Sequence, residues 1–394
     1  MREYCSRTVD GSHWGYPRIL DGANDGHFGP CGVQLPAFCY TLPPLGPDFL
    51  IIGAPKSGTT WLWRNLRAHP GLWMPPVKEL HYFDDKAVTG WPPLCALSKK
   101  RLMRMPRSWW RYRKQFSRRL REQRKRPSLE ALRWDAAYFL MPPSDRWYVS
   151  LFSPGNSRGA LSGEVTPNYC GLDPTAIRHV MKVAPEARIV FFLRNPIEAS
   201  YSFAEMFFDR IQGRPLHSVP ESELAEHFLS SEYAPLFRYT QALSNWRDVY
   251  PEERIFVGFL EDIRFAPGRL LRNLARFLGS SAKEFRPRQA RKVHSGNLSE
   301  ASLNELRRLA SLHCGQIAEL DRRFGGYCSF WLWCADRLLA DDLEKAGSTV
   351  PYPLGESFLW EEWAKGHLYR GLAVNDKTAP LCSGPLSEIT PCKD

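Results

Sequence analysis

The fold of this chain is decided by residues 48–62, which read DFLIIGAPKSGTTWL. The first part is a short, continuous apolar run that ends at Gly53, a pattern typical of a strand buried on both faces of a parallel sheet. From Thr59 onward the sequence predicts a helix, which stops at the His-Pro-Gly sequence of residues 69–71. A loop rich in small and hydroxyl-bearing residues therefore joins a buried strand to a helix.

This loop is suited to bind an anion, because backbone N–H groups and the positive end of a helix converge on it. Lys56 supplies a cation, and Gly58 permits close approach of a ligand. Hydroxyl donors come from Ser57, Thr59 and Thr60. Nucleotide-hydrolase loops read G-x-x-x-x-G-K-[ST], whereas here the lysine lies before the second glycine. The displaced lysine and the lack of an evident Mg²⁺-binding acid disfavour hydrolysis of ATP or GTP.

Other apolar runs alternate with helical segments along the chain. Strands are predicted at 160–165, 188–193 and 254–259, and helices at about 174–183, 197–208, 233–250, 270–278 and 302–324. Strands that alternate with helices predict an α/β fold of three layers, P-loop-like, with a central parallel sheet and helices on both faces. Ligands of such sheets bind beyond the carboxyl ends of the strands, so we expect the site at that edge.

The sequence divides into three parts. Residues 1–47 lack helical or strand periodicity and are interpreted as an irregular N-terminal arm. Residues 48–335 form the main α/β domain, with a basic helical insert at about 85–158. Residues 336–394 are a C-terminal extension rich in proline and tryptophan.

The net charge of +11 is local to one segment. Residues 99–126 hold 14 Lys and Arg and one acid, a net charge of +13, which leaves −2 for the rest of the chain. A general nucleic-acid binder is expected to spread its basic residues over a face, so no nucleic-acid partner is predicted. The segment is predicted instead to contact an anionic glycan or a membrane surface, or to remain a solvated helix.

The same segment has a helical pattern. The apolar residues Trp109, Tyr112, Phe116 and Leu120 are spaced so that they form one stripe of a helix, with arginines on the other sides. A helical lid that packs this stripe over the mouth of the site is the alternative to a ligand-binding surface.

The ten cysteines include no C-x-x-C pair, which gives no support to a zinc ribbon or a redox motif. Reduced thiols are expected, because no secretory signal is visible. No apolar run reaches the length of about 18–20 residues that a membrane-spanning helix needs. We therefore expect a cytoplasmic location, with the Golgi lumen as the alternative if the sequence begins downstream of its true start.

A second motif lies at residues 193–202, LRNPIEASYS, where a predicted strand ends and a helix begins. Arg194 is placed to bind a phosphate through two N–H groups, and Ser202 follows eight residues later. Together with residues 49–62, this motif resembles the PAPS-dependent sulfotransferases, most of all the bacterial and carbohydrate-modifying, heparan-sulfate-like branch. In that family an arginine and a serine eight residues apart bind the 3′-phosphate of the donor.

The resemblance extends from about Asp48 to Asn297 and implies a donor, 3′-phosphoadenosine 5′-phosphosulfate (PAPS). Its 5′-phosphosulfate would bind the loop of Lys56 to Thr60, and its 3′-phosphate would bind Arg194 and Ser202. A late loop, KVHSGN, resembles the family loop that closes over the nucleotide. The donor contacts that it implies are Lys292, His294, Ser295, Gly296 and Asn297, with an ordinary solvated loop as the alternative.

Sulfuryl transfer is an in-line displacement that needs a base for the acceptor and a cation for the leaving phosphate oxygen. Lys56 fits the second role, and no metal is expected. The sequence VKELHYF at 77–83 resembles the glycan-sulfotransferase motif whose glutamate is the catalytic base, which implies Glu79. His81 would point to the same side of an extended chain. It could orient the carboxylate or act as the base itself, and a surface salt bridge with a packed histidine is the alternative without function.

Residues 163–169, GEVTPNY, resemble the E-K-T-P-x-Y segment of glycan sulfotransferases, but Val165 replaces the lysine. Glu164 is interpreted either as a site residue or as a buried acid at the end of a strand. The predicted function is the transfer of a sulfuryl group from PAPS to a hydroxyl or amine, with a carbohydrate or glycolipid as the expected acceptor. The alternatives are a P-loop kinase or nucleotide hydrolase, and a non-catalytic module of the same fold that binds anions or glycans.

Overall fold

The computed structural model of the chain describes residues 46–84, 107–281, 302–340 and 383–388, with side chains from residue 115 onward in the second range. These residues all belong to the unit Pro44–Asp394. Residues 1–45 of the predicted arm of residues 1–47 lie outside the described residues, as do Lys292, His294, Ser295, Gly296 and Asn297.

The described strands form one sheet. They are β1 (Phe49–Gly53), β2 (Leu72–Trp73), β3 (Leu161–Val165), β4 (Arg188–Leu193), β5 (Ile255–Phe259) and β6 (Gly384–Pro385). The spatial order is β2-β3-β1-β4-β5-β6. The first five strands are parallel to their neighbours, and β6 pairs antiparallel with β5. The prediction of a mixed α/β fold around a mostly parallel sheet is confirmed, and the antiparallel edge strand was not predicted.

Helices surround the sheet. They are α1 (Thr59–Leu66), α2 (Arg107–Lys125), α3 (Leu129–Leu140), α4 (Asp145–Ser150), α5 (Ser153–Asn156), α6 (Pro174–Val183), α7 (Pro196–Glu205), α8 (Glu221–Leu229), α9 (Tyr239–Arg247), α10 (Leu260–Phe265), α11 (Pro267–Leu278), α12 (Leu303–Phe324) and α13 (Tyr327–Leu339). The segment 233–250, predicted as one helix, is a 3-10 turn at Ala234–Phe237 followed by α9. Pro235 lies in the first turn of that segment and has no N–H to donate.

The central strand β1 is buried on both faces, as its apolar run predicts. Leu50 and Ile52 belong to the larger core, which includes α7, α9, α12 and α13. Phe49 and Ile51 belong to a second core, which includes α1 and α11. Because side chains alternate along a strand, this division shows that helices cover both faces of the sheet.

The helical insert differs from the prediction in how α2 faces its neighbours. Phe116 packs edge-on against Phe139 of α3, with 5.1 Å between ring centroids. Leu120, expected on the same buried stripe, is 45% exposed, and Arg119 is buried in its place. The cause is an ion pair between Arg119 Nε and Asp135 Oδ1 of α3 at 2.7 Å, which fixes the rotation of α2. An arginine stem can fill an apolar interface while its head is paired, so the predicted stripe was wrong at Leu120.

The described cysteines, Cys170, Cys314, Cys328 and Cys334, are free thiols. Among the described helices, none is both long enough and apolar enough to span a bilayer.

Candidate functional site

The loop between β1 and α1 has a backbone that requires glycine at one position. Gly58 has φ 82°, in the left-handed region, and a Cβ at this residue would lie 2.5 Å from Ile263 Cδ1 of α10. Gly58 is also the N-cap of α1 and brings no side-chain acceptor to the first N–H groups of the helix. Without a side-chain cap, the amides at the start of α1 can donate to a ligand, as an anion site at a helix N-terminus requires.

Arg194 connects the two sequence motifs in space. It follows β4, and its Nη1 donates to the carbonyl oxygen of Lys56 at 3.2 Å. Its Nε and Nη2 both contact Glu198 Oε2, at 3.1 and 3.0 Å. The loop and the Arg194 motif, more than 130 residues apart in sequence, therefore form one site at the carboxyl edge of the sheet, where ligands of parallel sheets bind.

Lys56 lies in a cationic environment. Burial and, to a smaller extent, the charges of Arg194 and Arg210 lower the pKa of its ammonium to about 8, while Glu205 opposes them. Three cationic side chains so close together are unfavourable unless an anion joins them. The electrostatics of the loop therefore favour a bound anion, and Arg210 is a contributor that the sequence analysis did not single out.

Ser202 lies near the C-terminal end of α7 and is 3% exposed. The same helix carries Glu198, which binds Arg194, so the β4–α7 unit holds both predicted ligands of the 3′-phosphate. Ser200 forms a hydrogen bond with His313 Nε2 at 2.9 Å. This hydrogen bond links α7 to α12.

A buried polar cluster lies behind the loop. Ser57 is completely buried, and within the described residues neither its hydroxyl nor that of Tyr239 has a hydrogen-bond partner. Glu261 Oε1 accepts a hydrogen bond from Trp331 Nε1 at 2.7 Å. Burial, helped by the nearby charges of Glu198 and Asp262, raises the pKa of Glu261 to about 8 against the opposing hydrogen bonds. Glu261 is therefore mostly protonated at neutral pH. The sequence signal for Glu261 is an acid just beyond a predicted buried strand.

The segment that carries Glu79 and His81 has a strained backbone. Among the described residues other than glycine, positive φ occurs at Lys56 (66°), Glu79 (65°) and His81 (55°). These are the three residues to which the sequence analysis assigned catalytic roles. Strained φ values of this kind cluster at active sites, where the surrounding structure holds them. Backbone strain and sequence motifs therefore mark the same three residues, although neither observation depends on the other.

Hydrogen bonds to β3 hold this strained segment. Glu79 N–H donates to the carbonyl of Val165 at 3.1 Å, and Leu80 N–H donates to Glu164 Oε2 at 3.3 Å. Val165 is paired with Ile51 of β1. Glu79 therefore lies at the same edge of the sheet as the anion loop.

Glu164 is the anchor of this arrangement. It is 2% exposed, and its Oε1 accepts hydrogen bonds from Tyr148 at 2.5 Å and Tyr169 at 3.0 Å. Its Oε2 accepts from Thr166 at 2.7 Å and from Leu80 N–H. Burial raises the pKa of Glu164, and these hydrogen bonds oppose the rise. Of the two interpretations of Glu164, the structure supports the buried acid at a strand end.

The side chains of Glu79 and His81 come together with a third group. His81 Nε2 lies 3.8 Å from Glu79 Oε2, and His81 Nδ1 lies 2.7 Å from Asp84 Oδ2. Lys78 Nζ contacts Glu79 Oε1 at 2.5 Å. Asp84 was missed by the sequence analysis, although an acid three residues after a candidate histidine is a usable signal. The prediction of an extended backbone at residues 79–81 is wrong, because Glu79 and His81 have positive φ, but their side chains still lie close together.

In the described ranges, no group of three or more His, Cys, Asp and Glu side chains is arranged to hold a metal ion.

Fold and loop together define an α/β protein whose strand–loop–helix turn is suited to bind an anion. Residues 47–284, about three-fifths of the chain, match the family model described as "Sulfotransferase family". The chain therefore belongs to the sulfotransferase family.

Three solved structures are similar in fold. A sulfotransferase from Alicyclobacillus acidocaldarius is 22% identical, with 70% of this chain and 94% of that chain covered and a TM-score of 0.46. The sulfotransferase domain from the curacin biosynthetic pathway is 17% identical, with 68% and 97% covered and a TM-score of 0.42. The sulfotransferase domain of the Synechococcus PCC 7002 olefin synthase is 18% identical, with 69% and 96% covered and a TM-score of 0.38. No curated protein matched the sequence.

Proposed function

We propose that this sulfotransferase uses PAPS as its donor and transfers the sulfuryl group to a hydroxyl or amine of a carbohydrate or glycolipid. The observation that carries the proposal is the hydrogen bond from Arg194 to the carbonyl of Lys56 at 3.2 Å. It joins two cationic elements, one at a helix N-terminus and one after β4. A donor with two separate phosphate-containing groups matches such a pair, because each group finds its own set of donors.

The donor would be bound at both ends. The loop from Lys56 to Thr60 and the first turn of α1 would bind the 5′-phosphosulfate, and Arg194 with Ser202 would bind the 3′-phosphate. Glu198 supports this assignment, because it fixes the Arg194 guanidinium in one orientation. An arginine left without its phosphate is unfavourable, which would give preference for PAPS over nucleotides that lack the 3′-phosphate.

In the proposed reaction, the acceptor oxygen or nitrogen attacks the sulfur of the donor. A new bond to sulfur forms while the bond between sulfur and the phosphate oxygen breaks, and its electron pair stays on adenosine 3′,5′-bisphosphate. Lys56 would neutralise the charge that develops on that oxygen. The proton of the acceptor would go to a carboxylate of the enzyme.

Glu79 is the proposed base. Its side chain is 26% exposed and so accessible to an acceptor, whereas that of His81 is 12% exposed and engaged with Asp84 through Nδ1. In this scheme, Asp84 and His81 orient the Glu79 carboxylate. The positive φ of Glu79 supports the assignment, because the backbone strain aims a side chain that an ordinary turn would place elsewhere.

The acceptor proposal rests on polar groups next to His81. Tyr82 donates its hydroxyl to Asp145 Oδ1 at 2.7 Å, and His179 Nε2 contacts the same oxygen at 2.7 Å. Asp145 and His179 are each 44% exposed. Exposed acid and imidazole groups beside an aromatic ring can bind sugar hydroxyls, which supports a carbohydrate or a glycan carried on a lipid.

The test is an assay with labelled PAPS and a panel of polysaccharide, glycolipid, tyrosine-peptide and small-molecule acceptors. We expect incorporation into a glycan or glycolipid, and loss of incorporation in Lys56→Ala and Arg194→Ala. Full sulfation by either variant would contradict the site. In a thermal-shift measurement, adenosine 3′,5′-bisphosphate should stabilise the protein more than ATP with Mg²⁺. A larger shift with ATP would favour a kinase or nucleotide hydrolase. Donor binding without turnover on any acceptor would favour a non-catalytic module.

A further inference from the structure

The helical insert exposes an unusual share of the large apolar side chains. Nine such side chains are exposed in the described chain, and five of them lie between residues 120 and 141. They are Leu120 (45%), Leu129 (76%), Leu132 (46%), Leu140 (56%) and Met141 (40%). Single exposed apolar residues are normal, whereas a cluster marks an interaction surface.

The exposed leucines of α3 lie on one side of the helix. Leu129, Leu132 and Leu140, with the exposed Ala136 between them, follow the spacing i, i+3, i+7, i+11, which places them within one face. The opposite side of α3 carries Trp134, which is 4% exposed and belongs to a buried core. The helix therefore has one apolar stripe in the protein and a second that faces outward.

The outward side of α2 is cationic. Arg121, Arg124, Lys125 and Arg126 are exposed, and within the described residues none of them forms an ion pair with an acid. The acid on this helix, Glu122, is already paired with Arg118 and Arg119. The described residues therefore do not neutralise the positive charge of this face, which is available to an anionic partner.

The two helices are fastened together on their inner sides. Arg119 Nε and Nη2 bind the two carboxylate oxygens of Asp135 at 2.7 and 3.2 Å, and Gln123 Nε2 donates to Asp135 Oδ2 at 2.9 Å. Asp135 of α3 thereby holds α2 in a fixed rotation. The cationic face and the exposed leucines consequently belong to one rigid unit, which we call the α2–α3 surface.

We propose that the α2–α3 surface docks on a membrane that contains acidic lipids. Arginine and lysine are attracted to the negative headgroups, and exposed leucines gain by entering the boundary with the acyl chains. An anionic polysaccharide would use the cations alone, because its chain offers no apolar layer to the leucines. The combination of charge and aliphatic side chains therefore favours lipid over glycan.

Docking would place the candidate site close to the membrane. Trp134 and Tyr138 of α3 share a buried core with Val77 and Leu80, which flank Glu79. The buried side of α3 therefore packs against the segment of the proposed base. A lipid-linked acceptor would then be presented near that segment, a consequence that rests on the proposed function, whereas the docking itself does not.

The experiment is co-sedimentation of the full chain with vesicles of phosphatidylcholine, with and without phosphatidylserine. We expect binding to the acidic vesicles, weakened at least tenfold in Arg121→Gln/Arg124→Gln and also in Leu129→Gln/Leu140→Gln. These side chains are exposed, so the variants should fold, which circular dichroism checks. The matched control is Leu229→Gln/Leu312→Gln, which alters leucines that are 61% and 42% exposed outside this surface. The control should bind like the parent chain.

Two outcomes would overturn the proposal. One is a parent chain that does not bind acidic vesicles. The other is a leucine variant that binds as tightly as the parent, which would identify a purely electrostatic surface, as an anionic glycan would use. Because vesicle binding needs no donor, neither outcome depends on sulfation activity, and a failure of the proposed reaction would be visible separately in the acceptor assay.

Discussion

Glu198 holds Arg194 through a single carboxylate oxygen, which accepts from Nε at 3.1 Å and lies 3.0 Å from Nη2. The third contact of the guanidinium is Nη1 with the carbonyl of Lys56. A guanidinium has five N–H donors, so two remain, one on each terminal nitrogen. That edge has the spacing of a bidentate phosphate contact. Glu198 thus positions Arg194 for an anion without binding the anion itself.

Glu198→Gln should weaken recognition of the 3′-phosphate selectively, because a neutral amide oxygen holds the guanidinium less firmly than a charged carboxylate oxygen does. We expect the Kd of adenosine 3′,5′-bisphosphate to rise about tenfold, which corresponds to about 1.4 kcal/mol, while the Kd of AMP changes little. Isothermal titration calorimetry measures both. Glu223→Gln is the matched control, since Glu223 forms a comparable pair with Arg214 on the surface. Equal weakening of both nucleotides would contradict the positioning role.

Lys56→Met should affect stability and binding in opposite directions. The folded protein without ligand holds this ammonium in a partly buried, cationic environment, so its removal should raise the free energy of unfolding by about 1 kcal/mol. Donor affinity should fall about 30- to 100-fold, as expected for the loss of a charge-assisted contact of about 2–3 kcal/mol. Urea unfolding and titration with adenosine 3′,5′-bisphosphate test the two effects. A variant that is less stable and binds normally would show that Lys56 is structural.

The pH dependence of donor binding should report the same ammonium. The pKa of Lys56 is lowered to about 8 in the free protein, and a bound anion raises it again. Affinity should therefore fall as pH rises through about 8, and binding above that pH should take up a proton. Calorimetry in two buffers of different ionisation enthalpy measures the uptake, which should be absent in Lys56→Met. The nucleotide itself contributes little there, since the second phosphate pKa is about 6.

Variants of Glu79, His81 and Asp84 should distinguish the catalytic base from the residues that position it. Glu79→Gln should lower kcat by about 100- to 1,000-fold with donor affinity unchanged, as for loss of a general base. His81→Asn and Asp84→Asn should each lower kcat about tenfold. The double variant of these two should be no worse than either alone, because they act as one unit. Single-turnover assays measure these rates. A larger loss of kcat in His81→Asn than in Glu79→Gln would identify His81 as the base.

Glu261 should make stability fall with rising pH. Its pKa is raised from 4.5 to about 8, so between these values the folded chain holds a proton that the unfolded chain releases. The slope approaches about 1.4 kcal/mol per pH unit. Asp262, raised to about 6, and His227 and His313, lowered to about 4, titrate mostly below pH 6.5. Urea unfolding between that pH and 8 should therefore show a decline that Glu261→Gln flattens. An unchanged slope in this variant would refute the assignment.

The parts of the fold and site that depend on local sequence were predictable. The strand, loop and helix around Lys56 are contiguous, so apolar periodicity and glycine placement were sufficient to identify them. Arg194 and Ser202 lie in another contiguous motif. The family and the mostly parallel sheet followed from these segments. Roles for the candidate residues remain predictions that the experiments above address.

Features that depend on particular polar contacts were not predictable. The burial of Arg119 in place of Leu120 results from Asp135 on another helix. In the sequence, Glu198 looked like an ordinary acid on a helix, and its contact with Arg194 was not evident. Glu164 could be judged only when its four hydrogen-bond donors were known. In each case, polar contacts decide how a side chain is buried or oriented, and hydrophobic patterns do not encode such contacts.

The short strand β6 has a practical consequence for anyone who shortens this chain. Ser383, just before it, donates its N–H and its hydroxyl to Asp262 Oδ2, and the strand itself covers the open side of β5. A version cut before residue 383 would lose two donors to a fully buried carboxylate and would bare a flat, apolar sheet edge. Such edges template aggregation. Residues 383–388 thus protect this edge, and a shortened or tagged version of the chain should retain them to stay soluble.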